Sequence, residues 1–159
     1  MRCKQTLLLA AVILAGCAGS SAAKPQVVRG PGYRFAAPAG WKVARAPRET
    51  SATSDSELVR VATFALVKPY SPALFGRVAT ELAARMDEVA KQGGGTVSGS
   101  RTVSAAGVRS HSYDVTVGGH HDEYTFVLVG RREYQLLCRR RSSSSGSTCR
   151  QLITSFVLG

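Results

Sequence analysis

The sequence is short of acidic residues, of histidine and of long apolar runs. It contains 10 Asp and Glu residues against 21 Lys and Arg, for a formal net charge of +11, and only three histidines. Its N-terminal apolar run, residues 7–14, is much shorter than the roughly 20 residues that a membrane-spanning helix needs. We therefore do not expect this run to form a permanent transmembrane helix.

Sequence motifs of common enzyme classes are also missing. No Gly-x-Ser-x-Gly elbow is present to expose a serine nucleophile. The glycines at 93–95 follow a predicted helix and lack the Gly-Lys-Ser/Thr of a phosphate loop. Ser110-His111-Ser112 has residue types of a hydrolytic triad, but alternation along a strand places His111 on the opposite face from both serines. We predict no catalytic residues and no enzyme activity.

Potential metal ligands occur together only in His120-His121-Asp122-Glu123. Neighbouring strand residues point to opposite faces, so the two histidines cannot easily bind one ion. A structural zinc site needs four ligands, and His111 is the only other histidine. A polar hairpin turn is therefore the preferred explanation of the cluster, with copper or zinc binding as the minor alternative, and we predict neither a metal nor a cofactor.

The N-terminal segment has the layout of an export signal. Arg2 and Lys4 precede the apolar run, and small residues follow it. Leu14-Ala15-Gly16-Cys17 resembles the bacterial lipobox, which implies that the Cys17 thiol receives a diacylglyceryl group and becomes the mature N-terminus. The alternative is an ordinary secretory signal cut near Ala22-Ala23, with Cys17 incidental.

This layout predicts three regions and a location. Residues 1–16 form a lipoprotein signal peptide, residues 17–31 the lipidated cysteine and a flexible linker, and residues 32–159 one domain. We expect the protein at the extracytoplasmic face of the cell membrane, anchored by lipid on Cys17. Removal of Arg2 and Lys4 with the signal lowers the net charge from +11 to +9.

The remaining cysteines fit an exported protein. Cys3 leaves with the signal and Cys17 is acylated, so Cys138 and Cys149 remain as one pair. Disulfides persist in oxidising compartments outside the cytoplasm. The alternative is two free buried thiols, which the polar segment between them disfavours.

Periodicity predicts an α+β domain. A hairpin is expected around the turn at 38–40, then a polar loop at 45–57 and a strand at 58–67. A proline after Ser71 and a glycine run after Gln92 delimit an amphipathic helix. The remaining predicted elements are strands at 96–105, 108–117, 123–130 and 133–138, and a closing helix at 148–158.

The order of elements resembles the PsbP-like α/β/α fold, specifically its actinobacterial lipoproteins of the LpqN type. The residues that carry the likeness are Phe35-x-x-Pro38-x-Gly40-Trp41 and Ile153-x-Ser155-Phe156. The resemblance covers residues 33–158. It implies one antiparallel sheet of about six strands with helices packed on both faces, in a family of non-enzymatic accessory and binding proteins.

The basic residues in the last third of the chain are all arginines. Most of them fall into two clusters, which we expect at opposite ends of a hairpin. Arginine forks bind phosphates and carboxylates, so these residues form a possible anion-binding patch. The alternative is a solvated loop in a chain of arginine-rich composition. The predicted patch residues are Arg131, Arg132, Arg139, Arg140, Arg141 and Arg150.

We therefore expect a lipid-anchored extracytoplasmic binding or interaction module. Its partners are the membrane, through lipid on Cys17, and an envelope protein or an anionic lipid or polymer; we expect no nucleic acid. The alternatives are a structural or accessory subunit of an envelope complex and, behind it, a metal-binding protein or hydrolase.

Overall fold

The computed structural model describes residues 23–159, which form an α+β domain. The predicted signal segment and Cys17 lie outside the described residues. The elements are β1 (Gln26–Gly30), β2 (Tyr33–Ala37), β3 (Lys42–Ala46), β4 (Glu49–Thr53), β5 (Leu58–Ala65), a 3₁₀ turn (Pro72–Leu74), α1 (Phe75–Gln92), β6 (Thr96–Ala105), β7 (Val108–Val117), β8 (His120–Val129), β9 (Arg132–Arg141), α2 (Ser147–Ser155) and β10 (Val157–Leu158).

The strands form two antiparallel sheets. The large sheet has seven strands in the order β3-β4-β5-β9-β8-β7-β6, and the small sheet has three in the order β1-β2-β10. Strands β6 to β9 form a meander of neighbours in sequence, while β5 pairs with β9 across the intervening helix and hairpins. The crossover makes β9 the central strand of the large sheet, with β3 and β6 at its edges.

The large sheet is buried on both faces, and each face has its own core. On one face, α1 contributes Leu82, Met86 and Ala90 to a core with aromatic residues of β7 and β8. On the other face, α2 and the small sheet pack together against β5 and β9. We call these the α1 side and the α2 side. Both cores consist of residues between Val28 and Phe156, so a form of the protein that begins at residue 18 retains them completely.

The predicted single sheet of about six strands with helices on both faces was wrong. Two sheets are present, and the α2 side is covered by a helix together with a three-stranded sheet rather than by helices alone. Short strands account for most of the difference, because β1, β2, β3 and β4 have five residues each and β10 has two.

Several local predictions also differ from the structure. The closing helix predicted over 148–158 ends at Ser155, and residues 157–158 form β10 because they pair with β2. Residues 26–30, predicted as linker, form β1 and pair with β2. The hairpin predicted around residues 38–40 was wrong, because the turn carries the chain from the small sheet to the large one. Residues 49–53 of the predicted polar loop form β4, which is held between β3 and β5.

The long elements agree with the prediction. Strands β6 and β7 have the predicted bounds, and α1 ends at Gln92 as expected. The chain begins this helical region with a 3₁₀ turn at Pro72, and the α-helix proper begins at Phe75. The described residues contain no helix with both the length and the apolar character needed to cross a membrane.

The disulfide is confirmed and joins α2 to the large sheet. Cys138 of β9 and Cys149 of α2 are both buried, with a Cα–Cα distance of 5.3 Å.

Two polar contacts tie the small sheet to the same side of the molecule. The Tyr33 hydroxyl donates to the Val61 carbonyl at 2.9 Å, and the Ala36 amide donates to Ser155 Oγ at 2.9 Å. Burial raises the pKa of Tyr33.

We expect removal of the disulfide to destabilise the domain. Cys138 and Cys149 are 11 residues apart. In the chain-entropy model, opening the loop that they close should lower the free energy of unfolding by about 3 kcal/mol. Urea denaturation of the Cys138→Ala/Cys149→Ala variant would measure the loss. A reducing agent should destabilise the wild-type protein by a similar amount and leave the variant unchanged. A variant as stable as the wild type would contradict the expectation.

Candidate anion-binding cleft

A polar cleft of about 560 Å³ opens on the α2 side, between α2 and the strands that this helix leaves uncovered. The strand register explains why polar side chains meet there. Paired residues in an antiparallel sheet share a face, so Asp114 lies beside Glu123, and His121 lies beside Arg140. The lining residues are Ser98, Arg101, Val103, Asp114, His121, Glu123, Arg140, Gly146, Arg150 and Ile153.

A β-bulge shapes one wall of the cleft. The register of β6 against β7 shifts between Val97 and Gly99, which leaves Ser98 as the additional residue. Ser98 Oγ donates to the Asp114 carbonyl at 3.2 Å, and the chain resumes regular pairing with Gly99 opposite Asp114. Bulges often redirect side chains beside functional sites, and this one lies at the rim of the cleft.

Arg101 neutralises both carboxylates of the cleft. Asp114 and Glu123 are direct cross-strand partners, an arrangement that is unfavourable for two like charges. The Arg101 guanidinium donates to both of them, and Ser112 Oγ donates to Glu123 at 3.2 Å. Burial lowers the pKa of Arg101, but the charges of Glu123 and Asp114 outweigh burial and raise it overall.

Arg140 and Arg150 supply positive charge that no carboxylate cancels. Arg140 comes from the end of β9 and donates from Nη1 to the Ser144 carbonyl at 3.0 Å. Arg150 projects from α2 and is exposed. Within residues 23–159, neither guanidinium has a carboxylate oxygen within 4.0 Å. The cleft therefore carries two uncompensated arginines, with His121 beside them.

The structure divides the predicted patch into separate places. Only Arg140 and Arg150 of the six residues line the cleft. Arg139 faces the α1 side, where it donates to the buried Asp122 at 2.8 and 2.6 Å, and that hydrogen bonding raises the pKa of Arg139. Arg141 is exposed at the last position of β9.

The two other patch residues lie at the opposite end of β9. Arg132 is the first residue of that strand, and Arg131 donates from Nη1 to the Val67 carbonyl at 3.2 Å. The neighbouring acid, Glu133, is buried and accepts from Arg85 at 2.6 Å. Arg131 and Arg132 therefore belong to a different surface from the cleft.

The histidines do not come together. His111 stacks on Phe75, with ring centroids 3.8 Å apart, beneath the start of α1. His121 Nδ1 lies 3.3 Å from Thr116 Oγ1 in the cleft wall, whereas His120 Nδ1 is 3.2 Å from the Gly118 carbonyl. Residues 23–159 contain no group of three or more side chains placed to hold a metal ion.

The triad residue types are separated as the strand alternation predicts. The Ser112 hydroxyl lies on the α2 side, where it accepts from Thr125 Oγ1 at 3.0 Å. His111 lies on the α1 side against Phe75. Arg101 was missed as a site residue; its place in the alternation of β6, opposite Ser112, is the signal that could have found it.

Comparison with known proteins rests on structure alone. No family model matches the chain, and no curated protein matches its sequence. The solution structure of cyanobacterial PsbP (CyanoP) from Synechocystis sp. PCC 6803 superposes with a TM-score of 0.68 over 92% of this chain and 99% of that one, at 15% sequence identity. The fold is PsbP-like.

A second solved structure is a more distant neighbour. A protein of Bacteroides thetaiotaomicron VPI-5482 superposes with a TM-score of 0.50 at 9% identity, over 87% of this chain and 49% of that one. At 15% identity the likeness to cyanobacterial PsbP establishes the fold alone, and the function has to be argued from the cleft.

We expect Arg101→Gln to destabilise the domain at pH 7, by roughly 1 kcal/mol or less, because Asp114 and Glu123 would face each other without their cation. Urea denaturation at pH 7 would measure the effect. The double variant Arg101→Gln/Asp114→Asn should recover stability, because it removes one of the two repelling charges. A double variant no more stable than Arg101→Gln would contradict the bridging role of Arg101.

Proposed function

We propose that this protein is a lipid-anchored extracytoplasmic binding module that takes an anionic ligand in the cleft beside α2. The observation that carries the proposal is the convergence of Arg140 and Arg150, from β9 and α2, in a cleft whose own carboxylates are both held by Arg101. A ligand bearing phosphate or carboxylate groups would provide the missing negative charge.

The disulfide supports both the geometry and the location in this proposal. Cys138 and Cys149 lie close in sequence to Arg140 and Arg150, so the bridge fixes the strand and the helix that carry the two arginines. A ligand would then find the arginines already in place and would lose less free energy in ordering them. A disulfide in this position also suits an oxidising compartment outside the cytoplasm.

The proposed activity is binding rather than catalysis. The candidate serines and His111 face opposite sides of the large sheet. The main groups available for ligand binding in the cleft are the guanidinium forks of its arginines. Such forks recognise planar anions through paired hydrogen bonds. The proposed ligand class is therefore a phosphate-bearing or carboxylate-bearing envelope component, such as an anionic lipid headgroup, a wall polymer or an acidic segment of an envelope protein.

The anchor can be tested directly at Cys17. The full-length protein, expressed in a bacterium fed with a labelled fatty acid, should incorporate the label and sediment with membranes. Cys17→Ala should abolish incorporation because the thiol that accepts the lipid is gone. Cys3→Ala is the matched control and should be labelled normally. Labelling that survives Cys17→Ala would contradict the anchor.

The cleft can be tested with a simple anion. We expect glycerol 3-phosphate, titrated into the form beginning at residue 18, to shift backbone NMR signals of β8, β9 and α2. Arg140→Ala/Arg150→Ala should weaken binding by about a hundredfold or more, because each of the two lost charge-assisted hydrogen bonds is worth about 1.5–3 kcal/mol. Arg131→Ala/Arg132→Ala makes the same change in net charge at the other end of β9 and should bind like wild type. Equal weakening in both variants would contradict a specific cleft.

A further inference from the structure

A second uncompensated group of arginines lies on the outer face of the small sheet. Side chains in β1 and β2 alternate between buried and exposed, so Val28 and Phe35 enter the core while Arg29 and Arg34 point outward. Arg45 of β3 donates from Nε to the Arg29 carbonyl at 3.3 Å, which places its side chain beside β1. We call this surface the arginine face; it consists of Val27, Arg29, Arg34, Arg45 and Val157.

The arginine face contains an unfavourable contact that an anion would relieve. Arg29 and Arg34 are direct cross-strand partners, and like charges in that position repel each other. None of the three arginines of this face forms an ion pair with a carboxylate in the part of the chain that the structure describes. Folding therefore keeps repelling charges together at a surface where nothing in the described chain neutralises them.

Apolar side chains accompany these charges. Val27 is 62% exposed and Val157 is 38% exposed, and both lie on the outer face, with Val157 paired directly to Arg34. A surface of arginines with exposed valines matches the headgroup region of a bilayer, where phosphates meet guanidinium groups and the first carbons accept apolar side chains. A purely aqueous anion would leave the valines in water.

The short stretch of sequence between Cys17 and β1 also favours a bilayer as the partner of the arginine face. Val27 is the tenth residue after Cys17, so the two Cα atoms can be at most about 36 Å apart. Lipid on Cys17 would hold β1 within that distance of the bilayer, so the arginine face could reach the bilayer surface. The geometry rests on the proposed anchor, although the affinity of the face for lipid does not.

We propose that the arginine face docks on the surface of an anionic membrane and so orients the anchored domain. The cleft also opens on the α2 side, with Arg150 and Ile153 of α2 in its wall. Docking through the small sheet would present that side of the molecule, rather than α1, to the envelope surface.

The test uses the form beginning at residue 18, which lacks Cys17 and keeps both cores. It should bind vesicles of phosphatidylcholine with about a third phosphatidylglycerol, and bind vesicles of phosphatidylcholine alone far more weakly. The variant Arg29→Ser/Arg34→Ser/Arg45→Ser should weaken binding by about a hundredfold, since each basic residue at an anionic surface contributes about fivefold. Its melting temperature should change little, because the substitutions remove a repulsive pair together with the exposed hydrogen bond from Arg45 to the Arg29 carbonyl.

Two control variants make the test specific. Lys68→Ser/Arg77→Ser/Lys91→Ser makes the same change in net charge at exposed positions, two of them on α1, and should keep wild-type binding. Arg29→Lys/Arg34→Lys/Arg45→Lys should also keep it, because an anionic leaflet responds to charge more than to fork geometry.

Three results would overturn the proposal. Equal losses in the two serine variants would show that net charge alone governs binding. Loss of binding in the lysine variant would show that guanidinium geometry, rather than the charge of the face, governs binding to the vesicles. Equal binding to the two kinds of vesicle would remove the electrostatic basis. Because this form lacks Cys17 and retains Arg140 and Arg150, failure here is distinguishable from failure of the anchor or of the cleft.

Discussion

Burial of the central strands on both faces governs the rest of the architecture. Residues 124–128 of β8 are buried without interruption, and so are residues 136–138 of β9, so each face of the large sheet needs its own cover. On the α1 side a single long helix is enough. On the α2 side the cover is assembled from a nine-residue helix and a three-stranded sheet, and this composite cover leaves the strands β6 to β8 partly open. The cleft is the uncovered part of a face that elsewhere forms core.

The scarcity of acids determines which arginines remain free. The buried carboxylates of Asp122 and Glu133 need a cation, and the structure supplies one to each. Arg101 serves Asp114 and Glu123, while Arg139 and Arg85 each serve one buried acid on the α1 side. With 21 basic residues against 10 acidic ones, many basic side chains have no acid available. Arg140 and Arg150 of the cleft and the three arginines of the arginine face are among the basic residues without an ion pair in the part of the chain that the structure describes.

Sequence patterns predicted the elements that carry their own signal. Strands β6 and β7 alternate over ten residues, α1 repeats its apolar positions over five turns, and two cysteines separated by 11 residues left one pairing. The missed strands have no such signal. β4 reads Glu-Thr-Ser-Ala-Thr and becomes a strand because β3 and β5 pair with it on both sides, which is a tertiary effect. β1 was hidden in the same way, by a composition typical of a linker.

The arginine run at 139–141 shows why the site itself was harder to predict than the fold. Read as sequence, three consecutive arginines suggest one patch. On a strand, successive side chains point to opposite faces, so the run cannot act as a unit. Arg139 holds a buried carboxylate on the α1 side, and Arg140 enters the cleft on the α2 side. Its partner there, Arg150, is ten residues away on another element, and only the fold of α2 against β9 brings the two together. A binding site composed of one residue from a run and one from a helix has no local sequence pattern. It can be recognised only once the pairing of the strands is known.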